Sequence, residues 1–248
     1  MESIARMNAD DNLKNKSIEW FCDTVKYKYS YNFEWQGLPI IQYPQDMIAM
    51  QELIWKIKPN LIIETGIAHG GSLIFSASML ALLDMAEAIE RGTVIDPKVS
   101  QRKVLGIDID IREHNRKAIE AHPMANRIQM IQGSSIDPKV IEQVSLEARK
   151  FLKILVCLDS NHTHEHVLEE LNAYAPLTSV GSYCVVFDSI IQDMPDNMFL
   201  DREWGVNNNP KTAVWEYLEA HPEFEIDTNI QNKLLITVAP DGYLRRLI

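Results

Sequence analysis

Apolar residues in this chain fall into two patterns that alternate from residue 60 onward. One is the short continuous run: Leu61–Glu64, Val104–Asp108, Arg127–Gln132, Phe151–Leu158 and Tyr183–Phe187. Runs of that length mark strands buried on both faces. The other is recurrence every three or four positions, over about residues 70–90, 112–121, 137–149 and 163–175, which predicts helices. Repeated strand–helix units imply a parallel sheet covered on both faces. Pro210 suits the first turn of a further helix, Lys211 to Ala220. Phe224–Ile226 and Leu234–Val238 then read as two last strands, with Asp241-Gly242 as a hairpin turn. The prediction is an α/β fold with a seven-stranded, mostly parallel sheet and an antiparallel final strand.

Two stretches break the alternation. Residues 1–35 read as a helical arm running into an aromatic connection, Tyr27-Lys-Tyr-Ser-Tyr-Asn-Phe-Glu-Trp35. Its rings need a cover, which could be the domain, a second copy of the chain, or a ligand beneath a lid. Gly37-Leu38-Pro39 turns the chain, and Pro44 to Lys58 is helical up to Pro59, so an arm over residues 1–40 precedes a main domain over 41–248. Residues 190–209 lack periodicity but contain Met198, Phe199 and Trp204, which predicts a loop that closes over a site.

Composition narrows the function. The chain has 248 residues, 46% hydrophobic and 24% charged, with a net charge of −11, ordinary for a soluble globular protein. That charge, with no basic patch, argues against nucleic-acid binding. The polar start and the absence of an apolar run near 20 residues predict neither a signal peptide nor a membrane span. Three cysteines, Cys22, Cys157 and Cys184, read as free thiols, and the expected location is cytoplasmic.

Candidate chemistry collects where ligands gather in open α/β sheets, at the carboxyl ends of the strands. The first strand runs into Glu64-Thr-Gly66-Ile-Ala68-His69-Gly70-Gly71-Ser72 and a long helix. Its glycines permit close approach of a nucleotide-like cofactor, and the free N–H groups of the helix start can bind its polar end. The pattern departs from the dinucleotide G-x-G-x-x-G, since Ala68 takes the middle glycine position. The second strand delivers Asp108, placed to accept from ribose hydroxyls, with Ile109 after it. The third delivers Gly133-Ser134-Ser135, which could touch an adenine ring, and Asp137, which could equally cap the next helix.

The fourth strand ends at Asp159 and the fifth at Asp188, expected about 5 Å apart if the strands are neighbours. Carboxylates that close repel unless a cation or proton joins them, and oxygen ligands suit Mg²⁺. His162 and His166 share the four-residue spacing of zinc ligands, but no cysteine or carboxylate completes a closed tetrahedral set, and His164 and His166 read as surface helix residues. Each motif also has an ordinary explanation: a strand-to-helix turn, a solvated strand-end aspartate, a histidine at a helix start.

Taken together, Ile63-Glu-Thr-Gly-Ile-Ala-His-Gly-Gly-Ser72, Gly106-Ile-Asp-Ile-Asp110, Gly133-Ser-Ser135, Leu158-Asp-Ser-Asn-His162, Val186-Phe-Asp188 and Asn208-Asn-Pro-Lys-Thr-Ala-Val214 resemble the cephalosporin hydroxylase family. That group has a Rossmann-like class I S-adenosylmethionine-dependent methyltransferase fold and includes rhamnosyl O-methyltransferase-like proteins. The resemblance spans about residues 40–240. It implies S-adenosylmethionine bound by Glu64, Gly66, Ala68, His69, Gly70, Ser72, Asp108, Ile109, Gly133, Ser134, Ser135 and Asp159. It also implies Mg²⁺ on Asp159 and Asp188. Phe187 stands where the family has glutamate, so the metal shell has one carboxylate fewer. Metal-dependent small-molecule O-methyltransferases pair a strand-four aspartate with an acidic-polar dipeptide, here Asp188-Ser189, which adds Ser189 to the ligand set.

The expected reaction is methyl transfer to a hydroxyl of a sugar or similar natural product, with Asp159 and His162 as catalytic residues and His162 as base. The partners expected are that small-molecule substrate and a second copy of the chain, with neither nucleic acid nor membrane. Competing readings are a hydroxylase, for which no redox motif is visible; a non-catalytic S-adenosylmethionine-binding subunit, favoured by Phe187; and a nicotinamide dehydrogenase, disfavoured by Ala68.

Overall fold

A computed structural model describes residues 2–248; Met1, the first residue of the predicted arm, lies outside them. Helices α1 (Glu2–Asn8) and α2 (Asp11–Val25) lead to a two-stranded hairpin, β1 (Phe33–Trp35) and β2 (Leu38–Ile40), which no sequence pattern announced. Helix α3 (Pro44–Ile57) follows, and then the alternating units: β3 (Leu61–Thr65), α4 (Gly71–Arg91), β4 (Lys103–Asp108), α5 (Glu113–Ala121), β5 (Ile128–Gln132), α6 (Pro138–Ala148), β6 (Ile154–Leu158), α7 (His164–Tyr174) and β7 (Tyr183–Val186). Helix α8 (Pro210–Ala220), β8 (Phe224–Ile226), α9 (Thr228–Leu234) and β9 (Tyr243–Arg246) complete the chain.

The main sheet has seven strands in the order β5-β4-β3-β6-β7-β9-β8, parallel from β5 to β7. Strand β9 slots between β7 and β8 and runs antiparallel to both. The predicted sheet is therefore present, with one strand relocated. Leu234–Val238 is not a strand. Asp227 caps helix α9 by accepting from Asn229 N–H. Beyond it, buried Asp46 of α3 accepts from the Val238 amide at 3.0 Å and from the Tyr243 hydroxyl at 3.0 Å, and it also binds the Thr237 hydroxyl. With that amide satisfied by a carboxylate, the segment has no need of a ladder.

Strands β3, β6 and β7 are buried along their whole length, with separate cores on the two sheet faces. Burying each Leu, Ile or Val is worth roughly 1.5–3 kcal/mol, so these central strands hold the site's frame. Helix α4 is long and apolar enough to cross a membrane, contrary to the expectation from the sequence. Here it is a core helix, with Leu73, Ile74, Ala77, Leu80 and Leu83 buried. The aromatic arm packs on the same core: Phe21 stacks on Tyr43 at 4.6 Å, Tyr29 meets Tyr43 at 5.4 Å and Trp35 meets Phe75 at 4.9 Å. The three cysteines are free thiols.

Candidate active site

The cofactor turn is fixed by steric necessity. Gly66 has φ +87°, and a Cβ there would lie 2.0 Å from the Asp159 carbonyl oxygen, so the turn after β3 rests directly on the backbone leaving β6. Ala68 adopts φ +46°, a left-handed conformation that costs a side chain about 1–2 kcal/mol. The middle position thus keeps a glycine-like backbone without the glycine. Asp108 at the end of β4 holds the turn: Oδ2 accepts from Ile67 N–H at 2.8 Å and Ala68 N–H at 3.2 Å, and Oδ1 from Asp110 N–H at 2.9 Å.

Above this turn lies a cavity of about 440 Å³. One part of its wall is the stretch Gly66–Ser72 with Asp159 and Ser160. Another comes from the arm, including Tyr29 and Tyr31, and from the 190–209 loop, including Met194, Phe199 and Trp204. The loop is tied down by Gln192: its Oε1 accepts from Asn207 N–H at 2.9 Å and Asn209 Nδ2 at 2.6 Å. Behind it the buried Lys211 ammonium is 2.7 Å from Asp193 Oδ2.

Between the two parts of the wall stand Asp159, His162 and Asp188, each offering a ligand atom within 4.8 Å of the others. His162 Nε2 is 3.1 Å from Asp188 Oδ2. Asp188 itself has φ +55°, strain of the kind that persists where neighbours over-determine the conformation. Burial first, then the charges of Asp188 and Glu64, push the Asp159 carboxyl well above the usual carboxylate range. Part of Asp159 faces the cavity, but its carboxyl sits deep among protein atoms. Gln42 Nε2 donates to Asp159 Oδ2 at 3.1 Å. The Trp204 ring meets the His162 imidazole edge-on at 5.4 Å.

Glu64 is buried beneath the turn, hydrogen-bonded by the Ser72 hydroxyl, and burial raises its carboxyl to about 7. It borders a second, smaller cavity that also touches Asp46, Cys157, Asp159 and Phe187. Phe187, in the position expected to be acidic, is buried in the apolar core and offers no ligand atom.

Gly66, Ala68, His69, Gly70, Ser72, Asp159, His162 and Asp188 thus line one cavity. Other predicted residues lie elsewhere. Ser189 is fully buried and donates its hydroxyl to the Pro240 carbonyl at 2.6 Å, so it turns away from Asp159. Ile109 is 72% exposed, and Gly133, Ser134 and Ser135 are off the cavity wall. The buried Ser135 hydroxyl instead meets His166 Nε2 at 3.0 Å. Asp137 caps α6 by accepting from Lys139 N–H. His164 and His166 are not free surface residues: His164 joins Thr212 at 2.8 Å and Glu216 at 3.0 Å. His166 is held by Ser135 and Ser160, and among the described residues it is not part of the cluster of Asp159, His162 and Asp188. Sequence reasoning missed Gln42, Tyr31 and Arg202 in the wall; only the aromatic richness of the arm and the loop hinted at their neighbourhood.

The site's geometry can be set beside known proteins. Residues 27–247 match the family described as Rhamnosyl O-methyltransferase/CmcI. The rhamnosyl O-methyltransferase of Mycobacterium tuberculosis is 30% identical over 217 residues, covering 86% of this chain and 77% of that protein. The Mycobacterium leprae protein of the same description is 28% identical over 214 residues, covering 86% and 82%. Among solved structures, CmcI with Mg-SAM superposes with a TM-score of 0.58 at 19% identity, over 88% of this chain and 78% of that one. CalS11, described as a TDP-rhamnose 3'-O-methyltransferase in calicheamicin biosynthesis, gives 0.54 at 14% identity, over 83% and 81%. At such identities the structural likeness speaks for the fold.

Proposed function

The chain belongs to the rhamnosyl O-methyltransferase/CmcI family, and from that premise we propose that it transfers a methyl group from S-adenosylmethionine to a hydroxyl of a sugar or similar polar natural product, assisted by Mg²⁺. The observation that carries this reading is the convergence of Asp159, His162 and Asp188 in the cavity that the glycine turn also lines.

The donor set fits a divalent cation. Asp159 is so placed that burial and a second carboxylate favour its protonated form, and a cation would relieve the same repulsion. Carboxylate oxygens suit Mg²⁺, which completes its shell with water and substrate. We assign Asp159 and Asp188 as its ligands. Bound there, the ion would lower the pKa of the acceptor hydroxyl and orient it.

His162 acts as the base in this reading. Its Nε2–H is held by Asp188, so Nδ1 takes the hydroxyl proton as the oxygen bonds to the methyl carbon and the carbon–sulfur bond breaks, its electron pair passing to sulfur. Asp188, 3.1 Å away, steadies the imidazolium so formed, and Trp204 holds the ring edge. The sulfonium brings its own activation, so alignment and proton removal are the protein's main tasks. Gly66 to Ser72 hold the cofactor's amino-acid end. Asp108 still has lone pairs for the ribose after binding the turn.

Free thiols at Cys22, Cys157 and Cys184 fit a reducing, cytoplasmic setting, and the exposed Tyr27 and Trp55 rings support self-association. Thermal unfolding with S-adenosylhomocysteine, with and without Mg²⁺, tests the core of the proposal. A ligand at 100 times its dissociation constant adds about 2.7 kcal/mol. A shift with the cofactor product, and a further one with Mg²⁺ that Asp159→Asn abolishes, is the expected result. No shift with either ligand would overturn it.

A further inference from the structure

The cavity wall carries four formally charged side chains among the described residues, and they are sorted by sign. Asp159 and Asp188 lie in the cluster with His162. Lys28 and Arg202 lie with the arm and the covering loop, both exposed at the rim. The two cations come from segments far apart in sequence that both line this cavity.

Neither cation is spent on a carboxylate. Lys28 Nζ stands 6.0 Å from the Tyr31 ring centroid and Arg202 Cζ 5.8 Å from that of Trp204. Lys26, two residues before Lys28, is by contrast paired with Asp23 at 2.9 Å. Trp204 in turn packs on His162, so Arg202 lies two ring contacts from the reacting centre. Lys28 holds its place with φ +52°, a conformation rare for lysine.

In a chain of net charge −11 an anionic substrate is repelled from most of the surface. A rim with two unspent cations reverses that locally, while the carboxylates farther in repel an anion and leave the interior to a neutral hydroxyl. We infer that the acceptor is a phosphorylated sugar, a glycosyl phosphate or a nucleoside-diphosphate sugar, whose phosphate is held at the rim by Lys28 and Arg202 while its sugar hydroxyl points inward to His162. Arg202 supplies a planar fork matched to phosphate oxygens, and Lys28 a point charge on the opposite segment. The Tyr31 and Trp204 rings beside them give a base or a sugar a face to stack on. This rests on the methyltransferase reading for the identity of the reaction but not for the binding of the anion.

The test is calorimetric titration of thymidine diphosphate, pyrophosphate and thymidine into protein saturated with S-adenosylhomocysteine. EDTA is present, so that phosphate cannot bind through a metal. The diphosphate is expected to bind at least about tenfold more tightly than thymidine, with affinity falling as salt rises. Lys28→Ala and Arg202→Ala should each cost about tenfold, and Arg202→Lys less. Both residues are exposed, so the variants fold. Pyrophosphate binding as tightly as thymidine diphosphate would identify a simple sugar phosphate, and a gain from the nucleoside would identify a nucleotide-linked sugar. Diphosphate binding no better than thymidine, or unchanged in both alanine variants, overturns the inference. S-adenosylhomocysteine is titrated first. If it binds and the diphosphate does not, this inference alone fails. If it does not bind, the methyltransferase reading fails, and the same titrations on ligand-free protein still judge Lys28 and Arg202.

Discussion

His162 Nε2 sits 3.1 Å from Asp188 Oδ2, joining the segment after β6 to the second residue beyond β7. In the proposed mechanism one carboxylate serves two purposes, steadying the base and sharing the cation with Asp159. His162→Ala should lower kcat by about 10²–10⁴-fold with S-adenosylhomocysteine affinity unchanged. Asp188→Asn should lower activity and also abolish the response to added Mg²⁺. Steady-state kinetics with and without EDTA, alongside cofactor titration, separate these effects. Full activity in both variants would remove the pair from the mechanism.

Glu64 makes stability depend on pH. Its carboxyl is raised by burial from an ordinary 4.5 to about 7. Between those values the folded chain keeps a proton that the unfolded chain has lost, so the contribution is fully present below about pH 4.5 and is gone above about pH 7. The loss is on the order of 3 kcal/mol over that window. Ligand-free wild-type protein should therefore melt lower at pH 7.5 than at pH 5.5, and Glu64→Gln should flatten the difference. Parallel curves for the two proteins would contradict this.

The cofactor turn offers two substitutions of opposite sign. Gly66→Ala drives a methyl group into the Asp159 carbonyl and should cost roughly 3 kcal/mol or more, with loss of cofactor binding. Ala68→Gly relieves a left-handed alanine at φ +46° and should gain about 0.5–1 kcal/mol, raising Tm by about 1–4 °C. Differential scanning calorimetry reads both; an Ala68→Gly variant that melts lower would show that the alanine methyl has a packing role.

Trp204 packs edge-on against His162, the proposed base, from the 190–209 loop. Trp204→Ala should reduce kcat about tenfold while leaving S-adenosylhomocysteine binding intact, and Trp204→Phe should recover most of the loss. Equal losses in both variants would assign the indole a different function.

The parallel sheet was readable because its central strands are buried along their whole length, and burial on both faces demands a mostly apolar run. The aspartates were readable for a related reason: β6 and β7 are parallel neighbours, so Asp159, one residue past β6, and Asp188, two past β7, leave the same end of the sheet. Reading failed where distant partners decide. Leu234–Val238 looks like a strand until Asp46, on α3, takes the Val238 amide. Ser189 looks like a ligand until the Pro240 carbonyl claims its hydroxyl. Gln42 reaches Asp159 across 117 residues of sequence, and nothing local to Gln42 signals that role.

The position of β9 between β7 and β8 has a further consequence, for the order of assembly. The Gly242 carbonyl accepts from Val186 N–H at 2.8 Å, two residues before Asp188, so the edge of the sheet that carries Asp188 is pinned by residues made after every other strand of the sheet. Until Tyr243–Arg246 emerge and insert, β7 presents a bare, wholly apolar edge with nothing to pair with, a template for association with other chains. The nascent protein would thus pass through a stage in which the glycine turn after β3 can form while the edge that carries Asp188 cannot. Any change that slows insertion of the last strand should appear as aggregation during expression before it appears as lost activity.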